Sequence, residues 1–458
     1  MDIVQPIAKY IIDPIVAARE KSSHLNWLKQ LEKSQYYSPE RIQQMQLERL
    51  KKLLIHAGKN CPFYKMRFAE AGFDPLKLSD PADLARLPVL TKTDIQNYRQ
   101  DMLARDIPRE DLIIEHTGGS TGAPLEFYMD RERLYSRKAG AIRHDRWAGL
   151  DIGHKAAVLW GNPHDFSDEV SLKTRLKNQL YDRRIFLDTT EISPALMAEF
   201  VRRLDDFRPS CYLAYANSMY LYARYIKEMH VGDYHRPQSI ITSAEVLTEQ
   251  QRDLIEDVFE CPVFNRYGSR EMSIIASECS KHEGMHICAE TILLEIVRGD
   301  RPCNDGEMGR IVITDLLNFG MPFIRYQIED VGTPVGASCS CGRGLPMMNI
   351  SGGRTTDFLV TPEGKVVSGI ALALPFVAAI DGAAQLQLVQ ERKDELLIKL
   401  VKGPDFSDGT LVQIEQKVRE FFGPAMKHRI EFVESIPKTR SGKYRLSVST
   451  LDPLEYLS

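Results

Sequence analysis

Between residues 156 and 265 short apolar runs alternate with helix-like ones, and few folds accept that order. Residues 156–160, 184–187, 210–214 and 239–242 have the length and apolar content of buried strands. Residues 194–207, 219–229 and 248–259 lie between them and have helical spacing. A strand followed by a helix and another strand closes most simply as a parallel pair with the helix on one face. The expectation is an α/β domain with a largely parallel sheet. The chain has 458 residues, 43% of them hydrophobic, enough for a large core and roughly three structural units.

Either side of this block the pattern changes. Residues 20–100 read as a polar helical cap, with a helix over 41–57 that Cys61-Pro62 stops. Residues 130–149 read as a charged helix. From about 285 the chain turns to strands, at 291–297 and 309–314. Beyond Gly353 come a hairpin over 384–390 and 395–401, an amphipathic helix with Leu411, Ile414, Val418, Phe421 and Phe422 on one face, and a strand over 428–434. Asp408 is the expected N-cap of that helix and Gly423 its stop. Such a β–β–α–β unit is expected to form a small α+β domain over 357–458, beside a larger α/β domain with mixed sheets over 1–356.

Charge removes some functions. A net charge of −4 and a pI near 6.3 give no basic surface for nucleic acid. The first twenty residues carry Asp2 and Asp13 and no basic lead-in, unlike a signal peptide. The apolar run 370–380 contains Pro375 and is too short to span a bilayer, so the chain reads as cytoplasmic. Eight cysteines are too sparse for a disulfide scaffold.

Residues 112–130 read LIIEHTGGSTGAPLEFYMD. A β-branched run and a period-two run flank Thr117, Gly118, Gly119, Ser120, Thr121 and Gly122. Three glycines free the backbone to turn and expose its N–H groups, and three hydroxyls add donors, so the loop suits a polyphosphate. An ordinary hairpin loop is the plain alternative. The Walker loop is not matched, because no lysine follows the last glycine and a strand follows where a helix is needed.

Strand–loop–strand with STG-x-P resembles the phosphate loop of the adenylate-forming ligases (acyl-CoA synthetases, peptide-synthetase adenylation domains, luciferases). Four more motifs follow in that superfamily's order. Tyr267, Gly268, Ser269, Arg270 and Glu271 resemble Y-G-x-x-E, which implies an aromatic wall at the adenine and acyl group and a glutamate for Mg²⁺ on ATP. PFIRYQIED, ending at Asp330, resembles P-x-I-R-Y-x-x-G-D, whose aspartate accepts both ribose hydroxyls. Glu329 replaces the usual glycine there, and Arg325 has the plain alternative of pairing with Glu329 or Asp330. Ser351–Asp357 resembles G-R-x-x-D, with Arg354 near the nucleotide and Asp357 as the hinge between domains. IPKTRSGK, ending at Lys443, resembles the loop whose last lysine enters the site during adenylation. The N-terminal PFYKMRFAEAG and LARLPVLTKTDI resemble the phenylacetate–CoA ligase branch, particularly its members associated with capsular polysaccharide synthesis.

The resemblance implies an enzyme that joins a carboxylic acid to ATP, releases pyrophosphate and passes the acyl group to coenzyme A. Lys443 and Glu271 would be catalytic, and the acid pocket would include Tyr215, Ser243, Ala244 and Glu245. Tyr212, Tyr220 and Tyr222 add aromatic surface that core packing explains equally well. After Asp357 the chain reads FLVTPEGKVVSG, without the R-G-x-x-x-x-P-type loop of thioester-forming relatives, so an amine or hydroxyl acceptor competes with coenzyme A. A nucleotide-binding protein without catalysis is the alternative of another class. Cys279, His282, Cys339 and Cys341 form a C-x-x-H and a C-x-C pair fit for a closed structural zinc site, with His286 able to replace His282.

Overall fold

The computed structural model describes residues 2–116, 125–160, 176–189, 194–299, 301–354, 358–368, 372, 376, 380–437, 445–451 and 453–456. The expected phosphate loop, the hinge residue Asp357 and the Lys443 loop lie outside the described residues. Strands β1 (Ile113–His116) and β2 (Glu126–Met129) pair antiparallel, His116 opposite Glu126, and hold the two ends of the loop region together.

A large sheet follows. Its strands are β3 (Ala156–Trp160), β4 (Arg184–Asp188), β5 (Cys211–Tyr215), β6 (Ser239–Ser243), β7 (Val263–Ser269), β8 (Ser273–Glu278), β9 (Met285–Ile287), β10 (Ile292–Arg298), β11 (Arg301–Pro302), β12 (Gly309–Asp315), β13 (Tyr326–Val335) and β14 (Met347–Arg354). Their order is β11-β10-β12-β13-β14-β9-β8-β7-β6-β5-β3-β4. The five strands β4-β3-β5-β6-β7 are parallel, as the alternating pattern predicts, and the rest add antiparallel. Helices Pro194–Phe207, Ala216–Glu228 and Glu249–Phe259 supply the crossovers. Phe200, Leu204, Met219, Tyr222, Ile255 and Phe259 pack them against Ala157, Leu159, Tyr212, Ala214, Ile240 and Val263. The helical cap covers the antiparallel half, with Leu50, Leu53, Leu54, Tyr64 and Leu84 against Ile292, Ile311, Ile313 and Tyr326.

Cys61-Pro62 does two jobs: helix Pro39–Asn60 ends there, and Pro62 opens the next helix, Pro62–Glu70, at the position where a missing N–H costs nothing. The charged helix Arg131–Trp147 is not a solvent-facing one. Arg133, Arg143 and His144 are buried, Arg133 donating to Asp315 (Nε–Oδ2 2.6 Å) and Arg143 paired with the buried Glu290.

β4 is an edge strand whose backbone is already engaged. Asn178 accepts from the amide of Arg184 (2.9 Å) and donates to its carbonyl (2.7 Å), and Arg203 donates to the carbonyl of Phe186 (2.9 Å). Side chains that take an edge's hydrogen bonds stop another strand from adding there.

The C-terminal region has its own core and sheet. β15 (Phe358–Val360) and β16 (Val366–Ser368) make a hairpin. β17 (Ala383–Arg392), β18 (Glu395–Lys402), β19 (Lys427–Phe432) and β20 (Ser447–Ser449) stand in the order β19-β18-β17-β20. Leu386, Leu388, Ile398 and Leu400 pack on Ile414, Val418 and Phe422 of helix Asp408–Phe422. That helix is capped by Ser407 rather than Asp408, one residue before the expected position, and Gly423 (φ +84°) ends it. β20 and the small hairpin add to the unit expected from the sequence.

Candidate functional site

The parallel order β4-β3-β5-β6-β7 reverses direction at β3 and β5, and ligands in open parallel sheets bind outside the carboxyl ends of the strands at such a point. Trp160 ends β3 and Tyr215 ends β5; their rings are 4.2 Å apart, inclined at 43°. Tyr215 lies opposite Ser243, and Ser243 opposite Arg266, so Tyr215, Ser243 and the start of the Tyr267 motif form one row. Tyr212 and Tyr222 belong to the core instead, fully packed behind the sheet. Trp160 was not visible as a site residue in the sequence, because its run reads as a plain buried strand. Ala244 follows with φ +67°. The carboxylate of Glu245 accepts from the amide of Asn217 (2.9 Å), at the start of helix Ala216–Glu228.

The Tyr267–Glu271 motif is a bulged turn between β7 and β8. A Cβ on Gly268 would lie 2.5 Å from the carbonyl oxygen of Ser273, so only glycine fits the close approach. Ser269 Oγ accepts from the amide of Met272 (3.1 Å) and fixes the turn. The turn presents Tyr267 and Glu271 to β13. Tyr267 donates to Asp330 (Oη–Oδ2 2.7 Å), and Tyr326 donates to Glu271 (Oη–Oε1 3.3 Å). Burial and the nearby carboxylates push the Tyr326 phenol well up, so it stays a donor. Asp330 stands opposite Arg354 in the β13–β14 ladder. Three motifs far apart in sequence therefore meet here. Tyr326 supports Glu271, a role the sequence did not suggest although Tyr326 stands inside a recognised motif. One hard-oxygen donor of this kind fits Mg²⁺, which takes few protein ligands and keeps its waters.

Glu329 has φ +68°, the left-handed region where the resemblance places glycine. Arg325 has φ +54° and is buried, but it does not pair with Glu329 or Asp330. It binds Glu295 (Nη2–Oε1 3.1 Å) and the carbonyls of Ala85 and Leu87, tying the helical cap to β13.

At the far end of the β7–β8 hairpin, Cys279, His286, Cys339 and Cys341 bring their donor atoms within 4.8 Å of one another. Cys279 and Cys339 are 3.6 Å apart through sulfur, and Cys341 Sγ is 3.3 Å from His286 Nε2. Tetrahedral zinc with bonds near 2.3 Å to sulfur separates its donors by about 3.8 Å, so the spacing fits. His286 takes the position first assigned to His282. It lies in β9 and is fully buried, whereas His282 sits on the preceding turn with its Nδ1 held by Glu278 (3.1 Å). Burial pushes His286 down to about 4, leaving it neutral, as a metal ligand must be.

A family model described as the CapK C-terminal domain matches residues 359–450. Among solved structures, 2-hydroxyisobutyryl-CoA ligase in its postadenylation state with 2-HIB-AMP superposes with a TM-score of 0.67 at 21% identity, covering 90% of each chain. The fold is that of the adenylate-forming ligases. Protein CapK of Staphylococcus aureus is 24% identical over 428 residues, covering 89% of each chain. A phenylacetate–coenzyme A ligase of Thermus thermophilus is 27% identical over 356 residues, 74% of this chain and 77% of that protein. The chain is thus similar to CapK and to the phenylacetate–CoA ligases.

Proposed function

We propose that the protein is an AMP-forming ligase that activates a carboxylic acid with Mg·ATP and transfers the acyl group to coenzyme A. The observation that carries the reading is the meeting of Tyr267, Glu271, Tyr326 and Asp330 beside Arg354 at the carboxyl ends of the parallel strands. One carboxylate oxygen attacks the α-phosphorus, the bond to the bridging oxygen breaks, and pyrophosphate leaves. The acceptor thiol then attacks the acyl carbon, loses its proton, and AMP leaves. Asp330 would accept from the ribose, with Tyr267 fixing its carboxylate, and Glu271 would hold Mg²⁺ with Tyr326 fixing its carboxylate. Mg²⁺ supplies charge neutralisation on the triphosphate. Thr117–Gly122 would cradle the phosphates, Arg354 would reach the nucleotide and Lys443 would neutralise charge developing at the α-phosphorus. Trp160 and Tyr215 would form the wall of the acid pocket with Ser243 and Ala244, and Asp357 would serve as the pivot of a C-terminal lid.

The likeness of relatives named as CoA ligases supports the thiol acceptor. One feature favours an amine or hydroxyl acceptor. The residues after Asp357 fold into the tight β15–β16 hairpin, with Gly364 donating to the Thr361 carbonyl (2.8 Å), and lack the R-G-x-x-x-x-P-type sequence of thioester-forming relatives. The CapK likeness of residues 359–450 supports a place in capsular polysaccharide synthesis, and ATP and coenzyme A as reactants support a cytoplasmic one. Among the described residues, no helix is long and apolar enough to cross a membrane. ATP–pyrophosphate exchange across a panel of carboxylic acids tests adenylation: AMP as product is expected, and exchange with no acid, or ADP as product, would reject it. Adding coenzyme A or amines to the best acid then separates the acceptors by product mass.

The Cys279, His286, Cys339 and Cys341 set is read as a structural zinc site, because four protein donors leave no open position for water. Metal analysis of protein purified without chelator tests it, with about one equivalent expected.

A further inference from the structure

Residues Val4–Ile7, Ala8–Ile12 and Asp13–Arg19 run on as one N-terminal helix whose middle turn is a π-helix. Every charge between its ends faces the body of the protein. Asp13 is fully buried and accepts from His24 (3.1 Å) and from the Tyr181 hydroxyl. Lys9 binds Asp151 (2.7 Å), Gln5 donates to the carbonyl of Ile152 (3.2 Å), and Asp2 pairs with Arg183 (2.6 Å). Gly153 lets the helix lie close, since a Cβ there would come within 2.6 Å of Ala8.

The outward face is the reverse. Ile3, Ile7, Tyr10, Ile11 and Ile15 are 43–70% exposed, and Pro6 and Ala18 continue the face without a charged residue until Arg19. A helix that is apolar outward and anchored inward has the profile of a buried helix with one side uncovered. Five large side chains at that exposure make a patch on the order of 600 Å², the upper end of what a monomer shows.

We propose that this face is the contact between two copies of the chain, the helices packed antiparallel about a two-fold axis near Tyr10 and Ile11. Two such patches together reach the lower bound of a stable interface, about 1,200 Å². Ile3, Ile7, Ile11 and Ile15 form a single i, i+4 ridge of β-branched side chains with few rotamers, and the same ridge on a second copy interdigitates with it. The antiparallel arrangement also opposes the helix dipoles. A lipid surface fits less well. A helix lying in a membrane keeps a strongly charged face toward water, whereas the opposite face here is packed against protein. The adjacent β4 edge is closed by Asn178 and Arg203, so pairing of sheets is not the contact.

Sedimentation equilibrium of the full chain over a range of micromolar concentrations tests the proposal, which does not depend on the ligase reading. The wild type should exchange between monomer and dimer. The double variant Ile7→Glu, Ile11→Glu should remain monomeric with unchanged melting temperature, because both side chains point away from the body. Ile11→Cys should form a disulfide-linked dimer on oxidation far more readily than Ile3→Cys, which lies far from the axis. A monomeric wild type, or a dimer that survives the double variant, would overturn the proposal. So would wild type that stays monomeric yet co-sediments with phosphatidylcholine–phosphatidylglycerol vesicles in a way the double variant does not.

Discussion

At one end of the β7–β8 hairpin, Tyr267, Glu271 and Asp330 are half-buried hard-oxygen groups joined through single hydrogen bonds; at the other end, Cys279, His286, Cys339 and Cys341 close around one point. The first arrangement leaves its carboxylates half-buried, with Glu329 next to Asp330 held in a left-handed backbone. The second is shut and made of soft donors. An open set of oxygens suits ligands that arrive and leave each turnover, and a closed set of sulfur and nitrogen suits one guest that stays. The two sets differ in donor chemistry and in closure within a few strands of one sheet.

The strongest test of the proposed chemistry is Lys443→Ala. Pyrophosphate exchange is expected to fall about 10²–10³-fold, the usual loss of one transition-state donor, with ATP binding little changed. An exchange rate equal to wild type would remove Lys443 from the mechanism. At the closed end, Cys341→Ser should lose the metal and melting temperature together, since metal binding there is folding free energy. His286→Ala should do the same while His282→Ala keeps the metal; the opposite pairing would restore His282 as the ligand. Asp330→Asn should weaken ATP binding by about tenfold or somewhat more, the worth of a hydrogen bond to a charged group, and leave the metal in place. Titration calorimetry with ATP reads that effect, and unaltered affinity would detach Asp330 from the ribose. The smallest effect belongs to Glu329→Gly. Releasing a left-handed non-glycine residue should raise unfolding stability by about 1 kcal/mol, since the strain relieved slightly exceeds the flexibility gained. A loss of stability in denaturant titration would mean that the Glu329 side chain has a packing role of its own.

Much of this was legible in the sequence because it rests on local rules. The strand and helix alternation after Ala156 gives the parallel half. Cys61-Pro62 marks a helix boundary, although not that the proline opens the next helix. What stayed hidden depends on contacts across the chain. Arg133 and Arg143 look solvated in a run of charges, and their acidic partners Asp315 and Glu290, well over a hundred residues away, help make their burial tolerable. Arg325 offered two acids nearby in sequence and bonded to a third, Glu295, thirty residues away on β10. His282 and His286 are both at plausible spacing from Cys279, and strand β9 decides between them by turning one inward.

The closed edge of β4 has a consequence for how the chain survives its own synthesis. A growing sheet exposes its last strand to any extended segment of a neighbouring nascent chain. Asn178 lies six residues before Arg184, so the amide that closes the edge leaves the ribosome ahead of the strand it guards. Arg203 follows 17 residues after Phe186, on the first helix made once β4 is complete. Both guards are therefore in hand before β5, β6 and β7 have been synthesised, and the vulnerable end is sealed by near neighbours instead of waiting for the finished sheet.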